Sequence, residues 1–187
     1  YGDHRDLHKE YRRQRQMCIR DRNRTVTMNG VSKSYAMTGW RIGYAGGPKE
    51  IIKAIRKIQS QSTSNPSSVS QAAAVEALNG TQKFIKTRSK EFKKRRDIVV
   101  AGLNEIEGIE CATPKGAFYA FPKVDGTGMS SAEFSNKLLE EAGVAVLAGE
   151  SFGRYGSGYI RLSFANSTEN LQDAIYRIKQ FVESNSS

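Results

Sequence analysis

The chain has 187 residues, 38% of them hydrophobic and 26% charged, and 29 basic against 19 acidic side chains give a net charge of +10. That balance fits one soluble domain or two small ones with a real core, and it excludes collagen-like, low-complexity and disordered polymers. No apolar run reaches the ~18 residues of a membrane-spanning helix. Two cysteines (Cys18, Cys111) and two histidines (His4, His8) form neither a disulfide framework nor a zinc spacing.

Much of the positive charge sits near the start, in Arg12, Arg13, Arg15, Arg20, Arg22 and Arg24. The tract RRQRQMCIRDR has neither helical nor strand periodicity, and Tyr11 is its one neighbouring aromatic. It lacks the aromatic interleaving of a single-strand nucleic-acid platform. Residues 1–24 are therefore expected to be an artefact or a disrupted segment, and are kept out of the fold. The opening YGDHRD, without an initiator Met, reads as a truncation. Sparse cysteine use points to a reducing, cytoplasmic setting.

From Thr25 the elements follow in order. Thr25–Met28 alternates as a strand and Asn29-Gly30 is expected to break it. Trp40–Ala45 reads as a second strand, closed by Gly46-Gly47. Pro48 opens a helix with an apolar stripe of Ile51, Ile52, Ile55 and Ile58. Another helix follows Pro66, runs through the small residues Ala72, Ala73, Ala74 and Ala77, and stops at Asn79-Gly80. A long helix spans about 81–106, with Phe84, Ile85, Phe92, Val99, Leu103 and Ile106 on its core side and the charged RSKEFKKRRD in its middle. A domain boundary is placed within it.

The remainder reads as a small α+β unit. Ile109–Thr113 and Gly116–Phe121 are expected to be strands joined at Pro114-Lys115, with Phe118, Tyr119 and Phe121 serving the core rather than a substrate wall. Ser130 or Ser131 starts a helix that ends at Gly143. Val144–Leu147 and Tyr159–Phe164 are strands around the glycine-rich loop GESFGRYGSG. Thr168 caps a last helix to about Val182. Neither that loop nor GGPKE has the context of a phosphate-binding fingerprint.

The segment SKSYAMTGWRIGYAGGP, residues 32–48, carries the chemistry. It places Lys33 just beyond a strand's end, where α/β proteins bind ligands. A deprotonated lysine amine is a nucleophile toward carbonyls, and Arg41 offers a planar fork for phosphate oxygens. Taken alone, a loop lysine is usually a solvated cation and a lone arginine usually serves an ion pair. The residues by themselves name no cofactor.

The segment resembles the cofactor-lysine signature of class I pyridoxal-phosphate-dependent aminotransferases (fold type I), especially the bacterial aspartate aminotransferase-like subgroup. NPSSVSQAAAVEAL, PKGAFYAFPKV and GYIRLSFA resemble that family's later segments, in the same order, so the likeness runs from about Thr25 to Phe181. It implies an α/β fold, the C-terminal part of a large cofactor domain (25–85) followed by a small α+β domain (86–187). It also implies transfer of an amino group between an amino acid, aspartate favoured, and a 2-oxo acid. Lys33 matches the lysine that forms a Schiff base with pyridoxal 5'-phosphate and then moves the Cα proton. Arg41 matches the arginine that binds the cofactor phosphate, Ser32 a further phosphate contact, and Arg161 the arginine that clamps the substrate carboxylate. No metal is implied, and the family's active site is built in a homodimer. The aspartate facing the pyridine nitrogen and the main phosphate loop belong to a preceding half of such proteins, so a chain of this length alone is expected to be inactive. Two alternatives accompany this reading: a C–S β-lyase of the same fold, and a basic nucleic-acid-binding module resting on the arginine tract.

Overall fold

The computed structural model describes residues 23–185; nearly all of the 1–24 segment set apart above lies outside the described residues. The chain divides into two compact units between Ile85 and Lys86.

In the first unit, β1 (Thr27–Gly30) pairs antiparallel with β2 (Gly43–Gly46), with Gly30 opposite Gly43 and Thr27 opposite Gly46. Asn29-Gly30 does not break the strand as expected. The Asn29 side chain takes the Gly30 N–H at 2.8 Å, and the ladder continues to the end of the pair. The second strand also starts later than Trp40. Thr38–Trp40 is a single 3₁₀ turn and Arg41 is left-handed at φ 55°, a conformation no strand residue adopts.

Helix α1 (Lys49–Ser62) has Pro48 as its N-cap rather than as its first residue. Its isoleucine stripe forms but is not covered: Ile58 is 71% exposed, and no residue of α1 is buried. Helix α2 (Ser68–Asn79) ends at Gly80 as expected. Its alanine face packs under the segment that follows β1: Val31, Met37 and Ile42 form a buried cluster with Ala74, flanked by Tyr35, Ala73 and Ala77. The small side chains let that segment lie close to the helix. The Tyr35 hydroxyl adds a bond to Gln82 at 3.1 Å, and Gln82 in turn donates to the carbonyls of Ala77 and Gly80.

Helix α3 (Lys83–Asn104) begins in the first unit and continues into the second. Val99 and Leu103 are buried as expected, whereas Phe84 is 36% exposed and instead packs against Tyr35 at 5.9 Å.

The second unit is built on α4 (Ser131–Ala142), α5 (Thr168–Asn185) and a three-stranded antiparallel sheet of order β3–β5–β4, with β3 at Tyr119–Ala120, β4 at Leu147–Ala148 and β5 at Ile160–Ser163. Its core joins Leu103, Phe134, Leu138, Ile160, Phe164 and Phe181; Phe134 and Phe181 meet edge-on at 5.4 Å. Each fully buried side chain of this size contributes about 1.5–3 kcal/mol.

Helix α4 is capped as expected, with the Ser130 hydroxyl accepting the Glu133 N–H and Gly143 closing it in the left-handed conformation. Helix α5 is capped one residue earlier than expected. Ser167, not Thr168, accepts the Asn170 N–H at 3.1 Å.

The hairpin expected at 109–121 does not form. Asn104 intervenes: its side-chain amide donates to the Cys111 carbonyl at 3.0 Å and its oxygen accepts the Cys111 N–H at 2.8 Å. That asparagine satisfies the backbone groups a neighbouring strand would have used, and Glu110 keeps only an isolated bridge to Lys123. Burial also pushes the Cys111 thiol up, which leaves it a core residue rather than a nucleophile.

The loop 149–158 folds into two 3₁₀ turns, Gly149–Phe152 and Arg154–Gly156. Backbone approach closes it. A Cβ on Gly149 would overlap the Gly156 carbonyl oxygen and lie 2.7 Å from that of Tyr159, and a Cβ on Gly156 would overlap the Gly149 carbonyl oxygen. The fully buried Ser131 accepts the Gly158 N–H at 2.8 Å, which ties the loop to the start of α4. Replacing Gly149 by alanine forces backbone apart and is expected to destabilise the unit by at least ~2 kcal/mol. A denaturant-midpoint measurement on the purified variant checks this, and an unchanged midpoint would show that the loop is not held this way.

Candidate active site

The segment Val31–Ile42 alternates between anchor and projection. Val31, Met37 and Ile42 are at most 9% exposed, pressed against α2, whereas Ser32 is half-buried and Lys33 and Arg41 are exposed. The apolar contacts fix the backbone while the polar side chains face outward. Lys33 lies on the turn just beyond the end of β1, in the position expected from the sequence. That turn is closed by the Tyr35 N–H on the Val31 carbonyl at 3.3 Å and the Ala36 N–H on the Lys33 carbonyl at 3.1 Å.

Thr38 joins the two candidate residues. Its hydroxyl donates to the Ser32 carbonyl at 3.1 Å, one residue before the lysine. Its own carbonyl accepts the Arg41 backbone N–H at 3.4 Å and the Arg41 Nη1 at 3.2 Å. Two of the non-glycine residues with positive φ, Ala36 at 53° and Arg41 at 55°, sit on either side of this clasp. Such conformations cost on the order of 1–3 kcal/mol and persist where surrounding contacts enforce them. Sequence reading passed over Thr38. The φ values that demand a clasp are invisible in the letters, and only the hydroxyl's place between Ser32 and Arg41 could have suggested it.

Among the described residues no acidic side chain pairs with Arg41, so most of its five N–H donors remain for a ligand. The donor set of this segment is a primary amine, a guanidinium and the Ser32 hydroxyl. It fits the aldehyde and phosphate ends of pyridoxal phosphate.

Arg161 lies on β5 in the second unit, opposite Leu147 of β4. Two rings flank it: its Cζ is 4.4 Å from the Tyr119 centroid and 4.2 Å from that of Phe152. Among the described residues no acid pairs with it either, against the ordinary reading of a strand arginine in an ion pair. Tyr119 and Phe121 are not the core residues they were expected to be. Tyr119 is half-buried over Arg161. Phe121 is 38% exposed and stacks on Tyr159 at 5.5 Å. The short strand β3 ends at Ala120, so inward–outward alternation does not extend to Phe121. Phe118 does pack against the core. Nothing in the periodicity of GESFGRYGSG signals that Phe152 meets Arg161, because the segment reads only as a glycine-rich loop.

The family model for aminotransferase class I and II matches residues 7–178. The chain belongs to this family. Among the relatives of this chain, the aspartate aminotransferase of Rhizobium meliloti (strain 1021) is 53% identical over 167 residues, which covers 84% of this chain and 40% of that protein. The aspartate/prephenate aminotransferase of Cereibacter sphaeroides is 51% identical over 169 residues, 85% of this chain and 42% of that one. The crystal structure of the Rhizobium meliloti aspartate aminotransferase superposes with a TM-score of 0.82 at 50% identity, covering 87% of this chain and 42% of that one. An aromatic aminotransferase from Pyrococcus horikoshii OT3 superposes at 0.83 with 41% identity, covering 87% of this chain and 44% of that one. The α/β aminotransferase fold expected from the motifs is therefore present. The chain spans about 40% of the length of the curated relatives it matches. Among the described residues no helix is long and apolar enough to cross a membrane, and no cluster could hold a metal ion.

Replacing Thr38 by valine keeps the branched shape and removes the hydroxyl. The lost bond contributes about 0.5–1.5 kcal/mol, so cofactor affinity of the whole protein is expected to fall roughly 2- to 10-fold. Fluorescence titration of the apoprotein with pyridoxal phosphate reads this, and an unchanged dissociation constant would separate Thr38 from the site.

Proposed function

We propose that this chain is the lysine-bearing part of an aminotransferase that moves an amino group from an amino acid, aspartate first, to a 2-oxo acid. Pyridoxal 5'-phosphate is its cofactor. The observation that carries the reading is the clasped segment Ser32–Arg41, which presents an amine and a guanidinium from an apolar anchor. It stands in a chain half identical to proteins named aspartate aminotransferase.

Bound there, the cofactor would supply an aldehyde and a conjugated ring that takes up electrons from the substrate's Cα. The chain's own residues supply aim and charge. Lys33 would hold the cofactor at its aldehyde end through Nζ, and the same amine, once the substrate is bound, would hold and move the proton at the substrate's Cα. Its long stem lets one amine reach both positions. Arg41 binds the phosphate oxygens, with the Ser32 hydroxyl as a further donor. Arg161 would bind the substrate α-carboxylate through two parallel N–H···O bonds. The partner of the pyridine nitrogen is assigned to the part of the family's length that lies outside this chain.

The whole enzyme is proposed to work as a homodimer. The uncovered isoleucine stripe of α1 supports burial of this unit against further protein. Borohydride reduction of the whole protein with cofactor, followed by peptide mapping, is expected to place the phosphopyridoxyl label on Lys33. A label on another lysine, with Lys33 unmodified, would overturn the reading.

A further inference from the structure

The rings around Arg161 are arranged as a holder. Tyr119 pairs across the sheet with Ser163, two residues beyond Arg161 on the same strand, so the two side chains share a face. Phe152 arrives from the glycine loop, whose closure depends on the Gly149–Gly156 approach, on the Gly149 N–H to Tyr159 carbonyl bond at 2.8 Å and on Ser131. Phe152 is 47% exposed, so its place is not explained by core packing. Its ring meets Arg161 and, edge-on at 6.0 Å, Phe121, which is itself stacked on Tyr159. Two aromatic rings thus flank one half-buried guanidinium, and Phe121 and Tyr159 extend the cluster behind Phe152.

All five N–H groups of a guanidinium lie in its plane. Rings packed on that plane stop it turning and exclude water from it, and the N–H edge is left for a ligand. A cation within ~6 Å of an aromatic centroid is also held by the ring's quadrupole; here both distances are well inside that limit. We propose that Phe152 and Tyr119 are positioning residues for Arg161. They fix its plane so that a flat carboxylate is accepted edge-on, while a tetrahedral anion such as a sulfonate is disfavoured. The proposal rests on the reading of Arg161 as the substrate's carboxylate clamp, and adds to it the residues that set the clamp's geometry and selectivity.

The experiment uses the whole enzyme with Phe152→Leu, Phe152→Trp and Tyr119→Leu variants and an Arg161→Ala control. Binding of maleate, a dicarboxylate that cannot react, is measured by calorimetry, and KM and kcat are measured for aspartate and for its sulfonate analogue. Phe152→Leu keeps the apolar bulk but not the π face. It is expected to weaken maleate roughly 3- to 30-fold, to raise KM more than it lowers kcat, and to narrow the preference for carboxylate over sulfonate. Tyr119→Leu is expected to act in the same direction, and Phe152→Trp to stay within about two-fold of the parent. Parent-like maleate binding in both leucine variants, with Arg161→Ala still impaired, would overturn the holder alone. Parent-like binding in Arg161→Ala would remove the carboxylate clamp, and the holder with it.

Discussion

Lys33→Ala in the whole enzyme is expected to lower kcat for transamination by at least ~10⁴-fold, the upper end of what a positioned proton-transfer group contributes. The same amine is asked to do two things. In the proposed reaction it holds the cofactor aldehyde and moves the proton at Cα. Alanine removes both, whereas Arg41, the residue assigned to the phosphate, remains, its backbone fixed by Thr38 and by Ile42 packed on α2. Cofactor retention is therefore expected to fall far less than turnover. Added small amines such as methylamine should restore part of the turnover, because a diffusible base can replace a missing one. An intact rate in Lys33→Ala, or a borohydride-reducible linkage that persists in it, would place the reactive amine elsewhere in the protein.

How much of this was legible before the fold was known depends on the range over which each signal acts. Helix positions came through well because their determinants are local: the Ser130 cap, the Gly143 stop and the alanine run of α2 all act within a few residues. The three-strand sheet was misjudged where a side chain replaced a strand. No periodicity announces that Asn104 will satisfy both backbone groups of Cys111. The isoleucine stripe of α1 was read correctly as amphipathic, but periodicity cannot say whether such a face is covered, and here no residue of α1 is buried.

The candidate site divides in the same way. Lys33, Arg41, Ser32 and Arg161 were picked out because they stand in motifs whose order resembles a family. What positions them was not, because a threonine hydroxyl reaching six residues back and a phenylalanine brought over from a glycine loop are tertiary facts. Motif resemblance thus found the groups assigned to the chemistry, and the fold supplied the groups that hold them.

The second large effect is expected at Arg161. Removing one partner of a desolvated, hydrogen-bonded charge pair typically costs about 2–5 kcal/mol, so Arg161→Ala should raise the KM for aspartate roughly 30- to 5000-fold. Two features of the site push toward the upper part of that range. The guanidinium is half-buried against Tyr119 and Phe152, so water that enters in its place meets two aromatic faces rather than hydrogen-bonding groups. Among the described residues no other lysine or arginine sits over the Tyr119 or Phe152 ring. Arg161→Lys separates charge from shape. It restores a cation but not the planar fork or the stacking, and should recover only part of the loss. Cofactor affinity should stay near the parent value in both variants, because the groups assigned to the aldehyde and phosphate lie in the other unit, on the Ser32–Arg41 segment. Steady-state kinetics on aspartate and 2-oxoglutarate, paired with cofactor titration, test both halves. Full recovery by lysine would mean that charge alone carries the interaction and that the planar geometry around Arg161 serves stability instead.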